Sequence, residues 1–312
     1  MANFGLIGVG GYIAPRHLEA IRDTGHTLLA SCDPNDSVGI LDRYFPESRF
    51  FTEIERFDRF LEKRRRLDED QRIHYLTVCS PNYLHDAHIR LALRIGASAI
   101  CEKPLVLSPW NLDALGELEN EYPGRIYTVL QLRLHPTLIA LKKRLDERAG
   151  ERHDVVLTYI TRRGPWYGIS WKGTPAKSGG IAMNICIHFF DMLLWLFGGV
   201  ERSLVHARTP DRAAGALELE RARVRWLLST SGKDLPEEAV RDGKPAFRSI
   251  TIDGEEIEFS NVFTSLHTRV YEDIFEGGGY GVEDARPSIE LVHRIRRTEP
   301  DSHGGLRHPG LS

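Results

Sequence analysis

The 312-residue sequence predicts an α/β protein in two parts, a parallel-sheet domain over residues 1–125 and an α+β domain over residues 126–312 built on a large open, mostly antiparallel sheet. Three observations predict this. Short apolar runs alternate with helix-period segments through the first third of the chain, the pattern of successive βαβ units. A glycine turn joins the first strand to the first helix. From about residue 153 strands follow one another with one strong helix among them, which suits an antiparallel sheet.

The elements follow in order. Asn3 to Gly8 is a short apolar strand, and Ala14 to Thr24 is a helix with Leu18 and Ile21 on one face. Thr27 to Cys32 is a second strand ending at Asp33-Pro34, and Ser37 to Phe45 is a helix. Phe50-Phe51 is a short third strand. Ile54 to Arg66 is a helix whose Lys63-Arg64-Arg65-Arg66 run sits among acidic residues and reads as a solvated helix end. Ile73 to Cys79 is a fourth strand, Leu84 to Ile95 a helix, and Ser98 to Cys101 a fifth strand. Ser108 suits the N-cap of a helix from Pro109 to Tyr122, with proline in its first turn, and Ile126 to Gln131 is a sixth strand. Beyond these, Val155 to Thr161, Arg202 to Thr209, Ala216 to Ser229 and Phe247 to Phe259 read as strands, and Ile181 to Phe197 as one long helix. The Gly/Pro-rich tail from Glu299 is expected to be mobile. An open sheet leaves a face to cover, and self-association is one way to cover it.

Composition narrows the function classes. Apolar residues at 41% and charged residues at 27% describe a globular chain rather than a disordered one. A net charge of −3 gives no reason to expect nucleic acid as a partner. No run of about 18 uncharged apolar residues exists, so no membrane partner is expected. The first strand begins at residue 3, which leaves no room for a signal peptide, and a cytoplasmic location is expected. The four cysteines show no CxxC spacing and lie mainly at strands, so core thiols are expected rather than disulfides or a metal site.

The candidate site gathers at the carboxyl ends of the first strands, where open α/β sheets bind ligands. Gly8-Val9-Gly10-Gly11-Tyr12-Ile13 follows a strand and opens a helix. Gly8 permits the tight turn, Gly10 a close backbone approach to a pyrophosphate, and the helix N-terminus offers N–H groups and a positive dipole end. Ile13 stands where the third glycine of this motif usually falls. Asp33, 25 residues past Gly8, can accept ribose hydroxyls and would repel a 2′-phosphate, which favours NAD over NADP. It could also be a simple turn residue before Pro34. Lys103, in Glu102-Lys103-Pro104, follows strand five and projects at the same edge. Asn184, His188 and Asp191, spaced i, i+4 and i+7 on the expected long helix, would share one polar face of an apolar helix. Such a stripe is either hydrogen-bonded in the core, with His188 tied to Asp191, or faces a ligand. Arg162, Arg163 and Lys172 flank an aromatic loop, Trp166-Tyr167-Gly168. Arg163 suits a carboxylate or diphosphate. Trp166 and Tyr167 could stack on a ring or pack beneath the loop.

Taken together, the glycine turn, Ser80-Pro81-Asn82 with His85, Glu102-Lys103-Pro104, Gln131-Leu132-Arg133 and the helix with His188 resemble the glucose–fructose oxidoreductase / inositol dehydrogenase (Gfo/Idh/MocA) family from residue 3 to about 290. The resemblance implies a Rossmann domain followed by an open-sheet domain, NAD as cofactor, and dimers or tetramers formed through the sheet. It implies cofactor contacts at Gly8, Gly10, Gly11, Tyr12, Ile13, Asp33, Ser80, Pro81, Asn82, His85, Glu102, Lys103 and Gln131. It also implies substrate contacts at Lys103, Asn184 and His188. The stretches at 10–14, 80–85, 130–135 and 183–188 are similar to one branch, the UDP-N-acetylglucosaminuronate dehydrogenases. These oxidise C3 of UDP-N-acetyl-2-amino-2-deoxy-D-glucuronate in bacterial surface polysaccharide (lipopolysaccharide O-antigen) synthesis, some recycling the cofactor with 2-oxoglutarate. Many family members carry Asp where this chain has Asn184. An amide cannot act as a base, so the proton chemistry is expected to fall to Lys103 and His188. The alternatives are a dehydrogenase of a free sugar or polyol, and a non-catalytic NAD-binding regulator.

Overall fold

The computed structural model describes residues 1–148, 150–257 and 265–311. The elements run β1 (Asn3–Ile7), α1 (Ala14–Asp23), β2 (Thr27–Cys32), α2 (Ile40–Tyr44), β3 (Arg49–Phe51), α3 (Ile54–Arg65), β4 (Tyr75–Val78), α4 (His85–Arg94), β5 (Ser98–Cys101), α5 (Pro109–Glu121), β6 (Ile126–Thr128), α6 (Pro136–Glu147), β7 (His153–Thr161), α7 (Trp166–Ile169), α8 (Pro175–Ser178), α9 (Gly180–Asn184), α10 (Ile187–Phe197), β8 (Val200–Arg208), β9 (Arg212–Leu219), β10 (Ala222–Ser229), α11 (Glu237–Arg241), β11 (Ala246–Ile252), β12 (Glu255–Glu256), α12 (Leu266–Phe275) and α13 (Val282–Arg297). The chain divides into two compact units, residues 1–134 with 263–286, and residues 135–262 with 287–312.

In the first unit six strands form a parallel sheet in the order β3-β2-β1-β4-β5-β6. The order reverses beside β1, which opens a crevice at the strands' carboxyl ends. β1 is buried along its whole length, as a central parallel strand covered on both faces must be. α1 places Ala14, Leu18 and Ile21 against Phe4, Leu6 and Leu28 in the core, and Val270, Tyr271 and Ile274 of α12 join the same cluster. The boundary expected at 125/126 falls inside this unit. β6 pairs parallel with β5 through Ala99–Ile126, Ile100–Tyr127 and Cys101–Thr128, and α12 returns to pack here from much later in the chain. The Lys63-Arg66 run does end α3 in solvent, with Arg65 and Arg66 bonded to Glu62. All four cysteines are free and buried.

The second unit's sheet has the order β12-β11-β7-β10-β9-β8, antiparallel throughout except for the parallel β7–β10 pair. Trp226 of β10 is fully buried with Phe190 of α10 edge-on at 5.3 Å. The strand expected over 216–229 is part of a hairpin, because the chain turns between Leu219 and Ala222. The strand expected over 247–259 ends at Ile252 before a short return strand, and its last two residues lie outside the described residues. α6 was not foreseen. His135 Nδ1 caps it by accepting the Thr137 N–H at 3.2 Å, with Pro136 in the first turn. The tail expected to be mobile is tied down. The Asp301 N–H donates to Val205 O, His206 Nε2 meets Gly304 O at 2.6 Å, and His308 Nε2 meets Thr158 Oγ1 at 2.9 Å.

The long helix expected over 181–197 is two helices. α9 ends at Asn184, α10 begins at Ile187, and the helical segments on either side of the break meet at 46°. Asn184, His188 and Asp191 therefore do not share one helix face. No proline or glycine marks the break, which turns on Ile185 and on Cys186 at φ −120° and ψ −2°. No single described helix is long and apolar enough to cross a bilayer; the bent pair meets that test only jointly, and α10 is a buried core helix.

Candidate active site

The glycine turn is shaped by the ends of three strands. The Gly8 N–H donates to Cys32 O at 2.8 Å, and the Gly11 N–H to Gly8 O at 3.0 Å. Gly8 adopts φ +88°, and a Cβ there would meet the Cys79 carbonyl at 2.6 Å. Glycine is required at that point for both conformation and space. A Cβ at Gly10 would lie 3.2 Å from Asp33 Oδ2, and the Gly10 N–H donates to that oxygen at 3.0 Å. Asp33 is buried at the end of β2 and also accepts the Asn35 N–H and side-chain amide. Three accepted bonds leave room on a carboxylate for about one more donor. No side chain caps α1, Pro15 occupies its first turn, Ile13 takes its N-cap position, and Tyr12 is almost fully exposed. An uncapped helix start beneath a glycine cradle fits a dinucleotide diphosphate.

On the other side of the crevice two turns are strapped together. His85 is buried, with Nδ1 2.7 Å from Pro104 O and Nε2 2.8 Å from Ser80 O. Burial lowers its pKa, against the pull of the two carbonyls. A neutral ring has one N–H, so His85 donates to one of these carbonyls and lies against the other, between the Ser80-Pro81-Asn82 turn and Glu102-Lys103-Pro104. Ser80 Oγ meets His88 Nδ1 at 2.8 Å, and Asn82 is buried in the short helix that precedes α4. Lys103 is half-buried, and the Lys103–Pro104 peptide is cis. Gln131 Oε1 is buried and has no hydrogen-bond partner among the described residues. It is an acceptor at the cofactor edge that a carboxamide N–H would satisfy.

Glu102 does something the sequence did not announce. Its Oε1 lies 3.1 Å from His17 Nε2 of α1 and 3.0 Å from His267 Nε2 of α12, while Oε2 accepts the Lys103 N–H at 3.2 Å. All three side chains are buried. His17 Nδ1 meets Tyr271 OH at 2.9 Å, and that hydroxyl meets Thr77 Oγ1 at 2.9 Å. One proton arrangement runs through the cluster: Thr77 donates to Tyr271, Tyr271 to His17 Nδ1, and His17 Nε2–H and His267 Nε2–H to Glu102, with His267 Nδ1 left without a partner among the described residues. Burial pushes the Glu102 carboxyl up, but the two imidazole bonds prevail and hold it well below the usual carboxylate range. Burial lowers the His17 pKa and raises that of Tyr271 well above normal, which agrees with a neutral imidazole and a phenol that keeps its proton. The one signal that could have found it is His17, three residues after Ala14 on the buried face of α1.

In the second unit Asn184 Nδ2 donates to Tyr167 OH at 2.8 Å. Tyr167 is buried, and burial raises its pKa. Trp166 stands over it edge-on at 5.8 Å and is half exposed. His188 packs on Phe189, ring centroids 4.2 Å apart. Arg163 and Tyr167 line a cavity of about 670 Å3 together with Arg162, Lys233, Lys244 and Asp211. The Arg162 N–H donates to Pro245 O and the Arg163 N–H to Thr230 O, so strand ends hold both arginines. Four cations against one carboxylate make this cavity suited to an anion. Lys172 lies over the Trp171 ring at 4.4 Å, and burial together with Arg163 lowers its pKa.

Comparison with known proteins agrees with this geometry. The oxidoreductase family model described as an NAD-binding Rossmann fold matches residues 2–130, and its C-terminal alpha/beta domain matches residues 150–241. The chain belongs to the Gfo/Idh/MocA oxidoreductase family. Its first unit is thus an NAD-binding Rossmann fold, with Gly8 and Gly10 in the turn after β1 and Asp33 at the end of β2. The crystal structure of the WlbA (WbpB) dehydrogenase from Thermus thermophilus in complex with NAD and alpha-ketoglutarate is 52% identical, with a TM-score of 0.95 over 99% of each chain. The same dehydrogenase in complex with NAD and UDP-GlcNAcA matches with a TM-score of 0.94 over 99% of each chain. Inositol 2-dehydrogenase of Rhizobium meliloti (strain 1021) is 25% identical over 62% of this chain, and the match spans about half of that relative (54%).

Proposed function

We propose that this Gfo/Idh/MocA protein is an NAD-dependent dehydrogenase that oxidises the C3 hydroxyl of UDP-N-acetyl-2-amino-2-deoxy-D-glucuronate to the 3-keto sugar. The observation that carries the reading is 52% identity over nearly the whole of both chains to a dehydrogenase crystallised with NAD and UDP-GlcNAcA. That similarity weighs for a nucleotide sugar over a free polyol. The complex of the same dehydrogenase with alpha-ketoglutarate supports reoxidation of the cofactor by 2-oxoglutarate in this protein as well. The product would feed diacetamido-uronic acid synthesis for surface polysaccharide, in the cytoplasm, by a homotetramer assembled through the open sheet.

NAD, when bound, would supply the hydride acceptor for C3. The chain's own residues bind, orient and handle the proton. Lys103 hydrogen-bonds the C3 hydroxyl, and His188 accepts its proton. Asn184 can position a hydroxyl but cannot take a proton. Gln131 and Asp33 would hold the cofactor, Asp33 through a ribose hydroxyl. Arg163 and its cationic cavity hold the uronate or diphosphate, with Trp166 and Tyr167 as the aromatic wall.

The test mixes purified protein with UDP-N-acetylglucosaminuronate, NAD and 2-oxoglutarate and follows the sugar nucleotide by mass spectrometry. Loss of two hydrogens is expected, and a sample without 2-oxoglutarate reports whether recycling is needed. An unchanged sugar nucleotide, with NAD binding demonstrated, would transfer the reading to a free polyol. Lys103→Met is expected to lose on the order of 10²-fold in turnover, the cost of leaving the reacting hydroxyl unpositioned.

A further inference from the structure

The buried cluster beneath the Glu-Lys-Pro turn is more than packing. The Lys103 N–H is held by Glu102 Oε2, and the next residue is a proline with no N–H to offer. On the far side Pro104 O takes His85 Nδ1. The lysine main chain is therefore held on one side by a carboxylate, and that carboxylate is held by one imidazole from α1 and one from α12. α1 is also the helix whose N-terminus carries the glycine turn. The clamp ties the diphosphate cradle, the lysine turn and α12 into one rigid frame.

We infer that His17 and His267 are positioning residues for Lys103, acting through the Glu102 carboxylate. The inference rests on the reading of Lys103 as the group on the reacting hydroxyl. The groups that face Glu102 are His17 of α1, Cys79 after β4, His85 of α4, Cys101 of β5, and His267 and Tyr271 of α12. The two cysteine thiols are pushed well up by burial and stay protonated, so the imidazole N–H groups are the donors that hold the buried carboxylate charged. Loss of one donor leaves burial less opposed, and the carboxyl then titrates at higher pH. A protonated Glu102 holds its neighbours differently, and reacting groups misplaced by about 1 Å lose on the order of 10²-fold in rate.

The experiment compares His267→Leu, His17→Leu and His267→Gln with the wild type, full length and with NAD present. Acetic anhydride labelling read by peptide mass spectrometry gives the rate at Lys103 relative to the other lysines. Both leucine variants are expected to shift that relative rate at least threefold. They are also expected to lower kcat at least tenfold with KM for NAD and sugar nucleotide within threefold, and to add a fall in rate from pH 7 to pH 5. His267→Gln keeps a side-chain N–H and is expected to restore both quantities to within threefold of the wild type. Wild-type labelling of Lys103 in both leucine variants overturns the inference. Turnover surviving in Lys103→Met removes the catalytic reading instead, while the labelling still reports whether the clamp holds the lysine. Where a leucine variant fails to melt cooperatively, the corresponding His17→Asn or His267→Asn variant, whose shorter side chain withdraws the N–H from Glu102, replaces it. A wild-type labelling rate in the asparagine variants then overturns the inference.

Discussion

At the scale of single residues the cofactor edge is set by the space between backbones. Gly8 sits at φ +88° with the Cys79 carbonyl where a Cβ would go. Gly8→Ala must shift either β1 or the turn after β4, at a cost of about 1–3 kcal/mol for the strained backbone alone. We expect NAD affinity to fall at least tenfold by titration calorimetry, with a lowered melting temperature; an unchanged affinity would count against the cradle. Asp33 carries a second residue-scale prediction. Its carboxylate ties Gly10 in place, and in the proposed function it also accepts a ribose hydroxyl. Asp33→Ala is expected to weaken NAD binding at least tenfold and to narrow the preference for NAD over NADP, measured as the ratio of the two Kd values. These residues were legible in the sequence because a strand, a glycine turn, a helix and an acid at the end of the next strand occur in that order. The partners of Glu102 were not, since His17 and His267 lie 250 residues apart and neither belongs to a recognisable motif.

At the scale of elements, the broken helix decides what Asn184 does. With α9 and α10 at an angle, Asn184 reaches Tyr167 on α7 and not a stripe shared with His188. The Tyr167 phenol keeps its proton at neutral pH, because burial raises its pKa. Asn184→Ala and Tyr167→Phe each remove this bond, and a double-mutant cycle in denaturant is expected to give a coupling of about 1 kcal/mol. Additive effects would show that the bond contributes nothing. Hydrophobic periodicity predicted helix at both ends of this segment. The bend was hidden because Ile185-Cys186-Ile187 is apolar and as compatible with a straight helix as with a break.

At the scale of the whole molecule, the order of the chain and the order of the fold part company. α12 supplies Val270, Tyr271 and Ile274 to the core of the first unit. A fragment of residues 1–134 should therefore unfold without cooperativity, and one rejoined to residues 265–286 by a flexible linker should melt as a unit, as read by calorimetry and circular dichroism. Stability should also depend on pH in one direction. Burial lowers the pKa of His17 and His85, and takes His88 and His308 to about 4, from an unfolded value of 6.5. Between those values the unfolded chain binds protons that the folded protein refuses, so stability is lost as pH falls from 6.5 toward 4. Glu102 adds to this at still lower pH, because its contribution is present above the unfolded carboxylate value and is lost as pH falls through its depressed folded value. The melting temperature is expected to drop by at least about 5 °C from pH 7 to pH 4.5.

The amino-acid sequence by itself determined the local periods and the turns: six short strands with helices between them, the glycine cradle, Asp33 at the end of β2, and the Glu-Lys-Pro turn after β5. Each of these is settled within a few residues by sterics, hydrogen-bonding capacity and the alternation of apolar side chains. The tertiary structure decided which sheet β6 joins, where the apolar face of α12 packs, where the 181–197 helix breaks, and what anchors Glu102 and the C-terminal tail. An apolar face can be buried equally well against more than one core, and a buried histidine takes whichever acceptor the packing brings to it. Those choices follow from contacts between segments far apart in the chain, which no local pattern contains.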